Sequence, residues 1–347
     1  MDIQIALSGT VGAPRVDTQR RHFLKRSTAA VLALAGLGCV RATPSLAADY
    51  PTHPIRVIVP YAAGGAADVV ARICAKHMSD QLGQQVFIDN RGGAGGTIGT
   101  DVAARATPDG YTLVEHTISS AVLNKFLYTR VKLDVNARFA PISEIGTAVQ
   151  LLAINAKVPA QNLREFITLL KANPGKYRYG SSGLGAIMHL GGELFSFMTD
   201  TKTVHVPYRG EGPAMVDILA GRIQFMVASV PAILSHIRAG KLRALYVNAD
   251  RRLALLPDVP TSAEAGLPGY KTYNWYALFA PLGAPEPIVQ RLDEALIKAV
   301  ATPAMRKEFG DIGVDPVVSN PRDLSVELKQ QAGFWGPLIE RAGVTLD

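Results

Sequence analysis

Ile55-Arg56-Val57-Ile58-Val59-Pro60-Tyr61-Ala62-Ala63-Gly64-Gly65-Ala66-Ala67-Asp68 is the stretch that decides the fold. Its β-branched run, interrupted only by Arg56, reads as a buried strand. Pro60 ends that run and a glycine pair follows. From Ala66 to Leu82 the apolar residues Val69, Val70, Ile73 and Met78 share one helical face. Strand, glycine turn and helix make a βα unit, and the chain repeats the pattern. Strand-like runs recur at 85–88 and 111–114. A second series opens with 149–154 and continues near 177–179, 203–206, 223–227 and 242–247. Residues 275–279 form a last strand before the Pro-rich turn Pro281-Leu282-Gly283-Ala284-Pro285. A helix then starts at Pro287, with Ile288, Leu292, Ala295, Leu296 and Ala299 on one face. The alternation predicts an α/β fold.

Upstream, Thr18-Gln19-Arg20-Arg21-His22-Phe23-Leu24-Lys25 leads into an apolar run over 29–40 and then Ser45-Leu46-Ala47. The arginine pair resembles a twin-arginine export signal. The apolar run is about 12 residues, short of the roughly 20 that cross a bilayer. Small residues at 45 and 47 predict cleavage before Ala48, so 1–47 reads as a cleavable signal peptide and the mature protein as periplasmic. The whole chain carries 36 Lys+Arg against 29 Asp+Glu, and the segment 1–47 removes six and two of them. The mature charge is then +3, and no basic run is interleaved with aromatics, which argues against nucleic-acid binding. Cys39 falls in the signal and Cys74 stands alone after it, so no intrachain disulfide is expected.

Two glycine-bearing turns carry the chemistry. The first is Tyr61-Ala62-Ala63-Gly64-Gly65 with Asp68. The second is Gly180-Ser181-Ser182-Gly183-Leu184-Gly185, leading to His189. Each sets unpaired backbone N–H groups at a helix start, where the dipole favours an anion. Taken singly, either turn is as readily a plain βα connection; one in each half of the chain favours a shared anion cleft. Asp68 reads first as a residue that steadies its loop. Neither turn matches GxGxxG or a P-loop, and Leu184 breaks a GxSxG elbow. The mature histidines have no i, i+4 pair or cysteine partner, so neither a metal nor a cofactor is expected.

Tyr50-Pro51, Pro54 to Pro60, Gly64-Gly65 with Asp68, and Asn90-Arg91 before Gly93-Ala94-Gly95-Gly96 resemble the Bug receptors. So do Pro108-Asp109-Gly110-Tyr111, Ser181-Ser182-Gly183 with His189-Leu190, Val204 to Tyr208, and Leu256-Pro257-Asp258-Val259-Pro260-Thr261. These are the periplasmic solute-binding subunits of tripartite tricarboxylate transporters, and the likeness covers essentially the whole mature chain. The resemblance implies a two-domain, type II periplasmic-binding fold. Domain one would comprise 48–147 plus 276–347, domain two 148–275, with hinge crossings near Thr147 and Trp275.

By the same resemblance, the ligand carboxylate is held at both turns through backbone groups and ordered water. Carried over, this points to Tyr61, Ala62, Ala63, Gly64, Gly65 and Asp68, then Ser181, Ser182, Gly183 and Gly185. Thr117, Ser119 and Ser120 would add hydroxyls, and His189 would reach the ligand or, more in keeping with its place, support its loop. Ala228-Ser229 stand where many relatives carry an Asp-Asn pair, which removes an ammonium partner and argues against amino-acid ligands. Ala67 replaces a usual hydroxyl ahead of Asp68, and His116 and Ile118 replace small residues. The resemblance implies a monomer, not an enzyme, that captures a small carboxylate for the membrane components of a transporter. The alternatives are a receptor that presents its solute to a periplasmic sensor domain, and an enzyme using the same cleft. No converging nucleophile and base support the last.

Overall fold

The computed structural model describes residues 50–128 and 134–342. The export segment, with Arg20, Arg21, Cys39 and the expected cut after Ala47, lies outside the described residues. In chain order the principal elements begin with β1 (Ile55–Val59), α1 (Ala66–Leu82), β2 (Val86–Asn90), α2 (Thr97–Ala104) and β3 (Thr112–Thr117). A long β4 (Phe139–Asn155) leads to α3 (Leu163–Ala172), β5 (Arg178–Ser181), α4 (Ile187–Thr199) and β6 (Val204–Pro207). Then come α5 (Glu211–Ala220), β7 (Phe225–Ser229), α6 (Val230–Arg238), β8 (Leu242–Val247) and β9 (Tyr273–Pro281). The chain closes with α7 (Glu286–Ala301), α8 (Pro303–Ile312), β10 (Val314–Pro316) and α9 (Pro321–Ala342).

The strands run in the order β2-β1-β3-β9-β4-β7-β5-β6, with β8 and β10 also paired to β4. β1 lies parallel between β2 and β3, and β5 lies parallel between β6 and β7. The two parallel groups are joined through antiparallel β9 and β4, which pair from Phe139 opposite Pro281 to Val149 opposite Tyr273. Beyond that pairing, β4 continues antiparallel to β7 and β8. One strand therefore belongs to both halves of the sheet.

The sequence reading finds only the 149–154 end of β4. Pro141 and Gly146 interrupt the pattern that precedes it, and both residues ordinarily argue against a strand interior. The register against β9 shifts at Pro141/Ser143 and at Glu144/Gly146. These bulges let the strand run through both residues.

Burial follows the strand faces. Val57, Val59, Val70, Cys74 and Leu292 join one large apolar core, in which Cys74 is a free, buried thiol. A second cluster gathers Phe166 of α3, Phe195 of α4, and Tyr179 and Phe225 of the sheet. Phe166 meets Phe225 edge-on with centroids 5.3 Å apart, a favoured aromatic geometry. Both cores leave the carboxyl ends of β1, β3, β5 and β7 facing one cavity, whose wall is formed by the loops that follow them.

Candidate functional site

The first turn is built to hold its own shape. Gly64 sits at φ +83, a region only glycine enters without strain. Its N–H donates to Asp68 Oδ2 at 3.0 Å, and Asp68 pairs with Arg72 at 2.8 Å. Burial alone would raise the Asp68 pKa, but hydrogen bonds from Arg72 and the Gly64 N–H outweigh it and lower it. Gly65 is extended, at φ −91, so its need for glycine is spatial. A Cβ there would sit 3.0 Å from the Cβ of Glu211.

The second turn is braced by histidines. Ser181 Oγ donates to the Gly183 carbonyl at 2.9 Å and lies 2.7 Å from His205 Nε2. Gly185 N–H donates to His189 Nδ1 at 3.1 Å, and the two imidazoles stack with centroids 3.9 Å apart. Burial, and then the neighbouring His189, pull the His205 pKa down to about 3, so it stays neutral. Gly183 sits at φ +143, and a Cβ on it would lie 3.2 Å from Gly95 Cα across the cleft.

A third turn, Tyr208-Arg209-Gly210-Glu211-Gly212, closes the wall. Ala62 N–H donates to the Arg209 carbonyl at 3.1 Å. A Cβ on Gly212 would collide with the Ala63 carbonyl oxygen. Glu211 opens α5 and is 6% exposed. Its Oε2 accepts from Ala66 N–H at 3.1 Å and its Oε1 from Ser229 N–H at 2.8 Å. Burial pushes the Glu211 pKa up to about 7, against the lowering effect of those two donors.

Hydroxyls supply the remaining polar surface. Tyr61 Oη lies 3.0 Å from Thr117 Oγ1, and Ser119 Oγ accepts from Ile187 N–H at 2.9 Å. Ser120 Oγ takes Thr117 N–H at 3.1 Å and sits 3.0 Å from His116 Nδ1. His116 lies edge-on to Phe139 and Phe279, and burial lowers its pKa to about 3. Glu115, fully buried behind this cluster, is pushed toward its neutral form by burial and then by Asp68. Neither Glu115 oxygen has a hydrogen-bond partner among the described residues.

Together these elements line a narrow cavity of about 30 Å³, room for roughly two water molecules. Of the residues predicted from sequence, Tyr61, Gly65, Thr117, Ser119, Ser182 and Ser229 line it. Ala62, Ala63, Gly64, Asp68, Ser120, Ser181, Gly183, Gly185 and His189 are not in its lining; Asp68, Ser181 and His189 brace the turns, and Ala63 and Gly64 are exposed. Ala228 lies elsewhere: it is fully buried in the large apolar core, while its strand neighbour Ser229 takes the cavity face. The sequence reading missed Ala66, Ala67, Ile187, Met188, Glu211 and Asn274. The first four follow directly from the two glycine turns, since each is an early helical residue. Glu211 carries the same signal, as the first helical residue after Gly210, at a third glycine turn that the sequence reading did not single out; Asn274, from β9, has none.

The lining contains no Lys or Arg. Ser181 is fully buried and spends its hydroxyl on its own turn, so it cannot act as a nucleophile. Among the described residues no cluster of His, Cys, Asp or Glu could hold a metal ion. What the arrangement offers chemically is a set of hydroxyls beside two helix starts.

The sequence matches the model of the tripartite tricarboxylate transporter receptor family over residues 70–344. It is 36% identical over 311 residues to a Pseudomonas protein named for the tcbD-tcbE intergenic region, covering 88% of this chain and 92% of that one. It is 35% identical over 319 residues to BugT of Bordetella pertussis, covering 90% and 98%. A solved periplasmic transporter superposes with a TM-score of 0.83 at 40% identity, over 86% of this chain and all (100%) of that one. A Rhodopseudomonas palustris protein solved with adipate gives 0.82 at 31% identity, over 86% and 100%. MatC of the same organism, solved with malate, gives 0.78 at 29%, over 84% and 100%.

Proposed function

Because the chain belongs to the tripartite tricarboxylate transporter receptor family, we propose that it captures a small carboxylate in the periplasm and delivers it to the membrane components of such a transporter. It is a solute-binding protein, not an enzyme, as its family and solved neighbours are. The observation that carries the ligand class is the cavity itself. Two helix starts, α1 and α4, converge on it with the hydroxyls of Tyr61, Thr117, Ser119 and Ser182. Helix starts and hydroxyls suit a carboxylate without any basic side chain. The adipate and malate in two solved relatives support the same class.

In this reading β4 and β9 act as the hinge near Thr147 and Trp275, with 48–147 plus 276–347 as one domain and 148–275 as the other. Ligand release then needs the two turns to part, and capture needs them to close. Thermal-shift screening against mono-, di- and tricarboxylates, amino acids, aromatic acids and neutral sugars tests the ligand class. A ligand at a hundredfold excess over its Kd adds about 2.7 kcal/mol of stability. A response to sugars alone, with none to any acid, would refute the carboxylate. Small-angle scattering tests the hinge: the profile should become more compact with ligand, and identical profiles at saturation would exclude closure.

A further inference from the structure

We propose that Glu211 sets the ligand preference of this cleft: the end of the ligand that meets it carries a hydrogen-bond donor, an ammonium, amide or hydroxyl, and not a second ionised carboxylate. The proposal rests on the carboxylate reading above and assigns the far end of that ligand. Four observations lead to it.

Glu211 lines the cavity and is held there from two sides, by Ala66 N–H of α1 and Ser229 N–H of β7. A carboxylate oxygen has two lone pairs. One on each oxygen is used by the backbone, which fixes the group and leaves acceptor capacity toward the cavity. Next, no Lys or Arg lines the cavity, so a second ligand carboxylate would meet a carboxyl group with no cation to offset it. Then, Ala66 N–H at the start of α1 is already taken. An incoming carboxylate finds the better donors around Tyr61, Thr117, Ser119 and Ser182, which leaves its other end for Glu211. Finally, Asn274 joins the same lining, and its Oδ1 has no donor among the described residues.

Glu211 also changes the meaning of Ala228. An aspartate there is absent, yet the Ser229 N–H beside it bonds a carboxylate that reaches in from α5. A carboxylate able to meet an ammonium therefore stands beside Ser229, supplied by Glu211 and not by residue 228.

Calorimetry at pH 8 compares matched acids that differ only at the far end: succinate, succinamate and β-alanine, and the longer pair adipate and δ-aminovalerate. Wild type should bind the ammonium and amide acids at least tenfold more tightly than the matching diacids. Glu211→Gln removes the charge, at the cost of one acceptor, and should shift the amine-to-diacid ratio at least tenfold toward the diacid. The wild-type order of succinamate over succinate gives an independent reading that needs no variant to fold. Diacids that bind wild type as tightly as their amine or amide partners would overturn the assignment to Glu211 and leave the carboxylate reading standing. So would an unchanged ratio in a folded Glu211→Gln. If no acid of any kind binds, the carboxylate reading itself has failed and this proposal falls with it.

Discussion

Helices α1 and α4 start in different halves of the sheet, and neither supplies its own side-chain cap: Gly65 and Ala186 hold the cap positions. Each borrows one from the opposite half. Ala66 N–H of α1 is capped by Glu211 of α5, and Ile187 N–H of α4 by Ser119, just after β3. The exchange is reciprocal but unequal. Ser119 offers a neutral hydroxyl that costs little to bury. Glu211 offers a carboxyl whose burial raises its pKa to about 7, the sign of a charge held at a cost. The halves are thus stitched by a bond that is indifferent to pH and by one that is not. If the halves part as proposed, both caps are lost with the contact, which would tie helix-end satisfaction to capture.

The most severe way to break this exchange is to keep the halves apart. Gly65→Val would drive a branched side chain against the Glu211 Cβ and the Gly212 N–H, 3.0 and 3.3 Å from the first added carbon. We expect a binding loss of about a hundredfold or more, equivalent to about 2.7 kcal/mol, with the circular dichroism spectrum retained. Calorimetry showing wild-type affinity in the folded variant would mean that the turns need not approach.

A smaller effect separates the two caps by pH. Glu211 titrates near 4.5 in an unfolded chain and at about 7 in the fold. Between those values the native state holds a proton that the unfolded chain has lost, so stability declines as pH rises through this window. Glu144, raised to about 7, and Asp293, raised to about 6, slope the same way. His116 and His205, lowered from 6.5 to about 3, slope the opposite way at the acid end of this window, so the readout is the difference from wild type: Glu211→Gln should lose the Glu211 share of the decline. It should also lower stability at pH 5 by about 1–2 kcal/mol, because one backbone N–H loses its acceptor. Denaturant titrations at pH 5, 6, 7 and 8 measure both; parallel wild-type and variant curves would show that Glu211 does not titrate in this range.

The smallest effect concerns the neutral cap. Ser119→Ala leaves Ile187 N–H without its acceptor, and loss of such a cap costs about 1 kcal/mol. The loss should be the same at pH 5 and pH 8. A pH-dependent loss would mean that Ser119 is coupled to the titrating groups behind it, Glu115 and His116.

How far these features were legible in the sequence depends on how local they are. The turn at Gly64-Gly65 and the helix over Ala66–Leu82 are local, and periodicity with glycine placement found both. β8, read at 242–247, matches Leu242–Val247 because an apolar run broken only by Arg243 marks it. β4 was half missed, since its bulges depend on the register of β9 and not on its own residues. Lining residues are legible where they follow a glycine turn, as with Ser182, and not where they arrive from a strand interior, as with Asn274; Glu211 follows a glycine too, but its turn lies far from the other two in sequence. Ala228 shows the same limit in reverse, because the next-to-last position of a strand faces core or cavity according to the pleat.

By itself the sequence determined the family, the α/β alternation, the two anion-favouring turns and the absence of a basic stripe, all of which rest on neighbouring residues and on composition. Only the tertiary structure decided that Glu211 stands in the cavity wall, that His205 joins His189 in bracing a turn, and that two helices exchange caps across the cleft. Those facts join residues as distant as Ala66 and Glu211. The energy that places them, burial set against backbone hydrogen bonds, exists only once the halves have met.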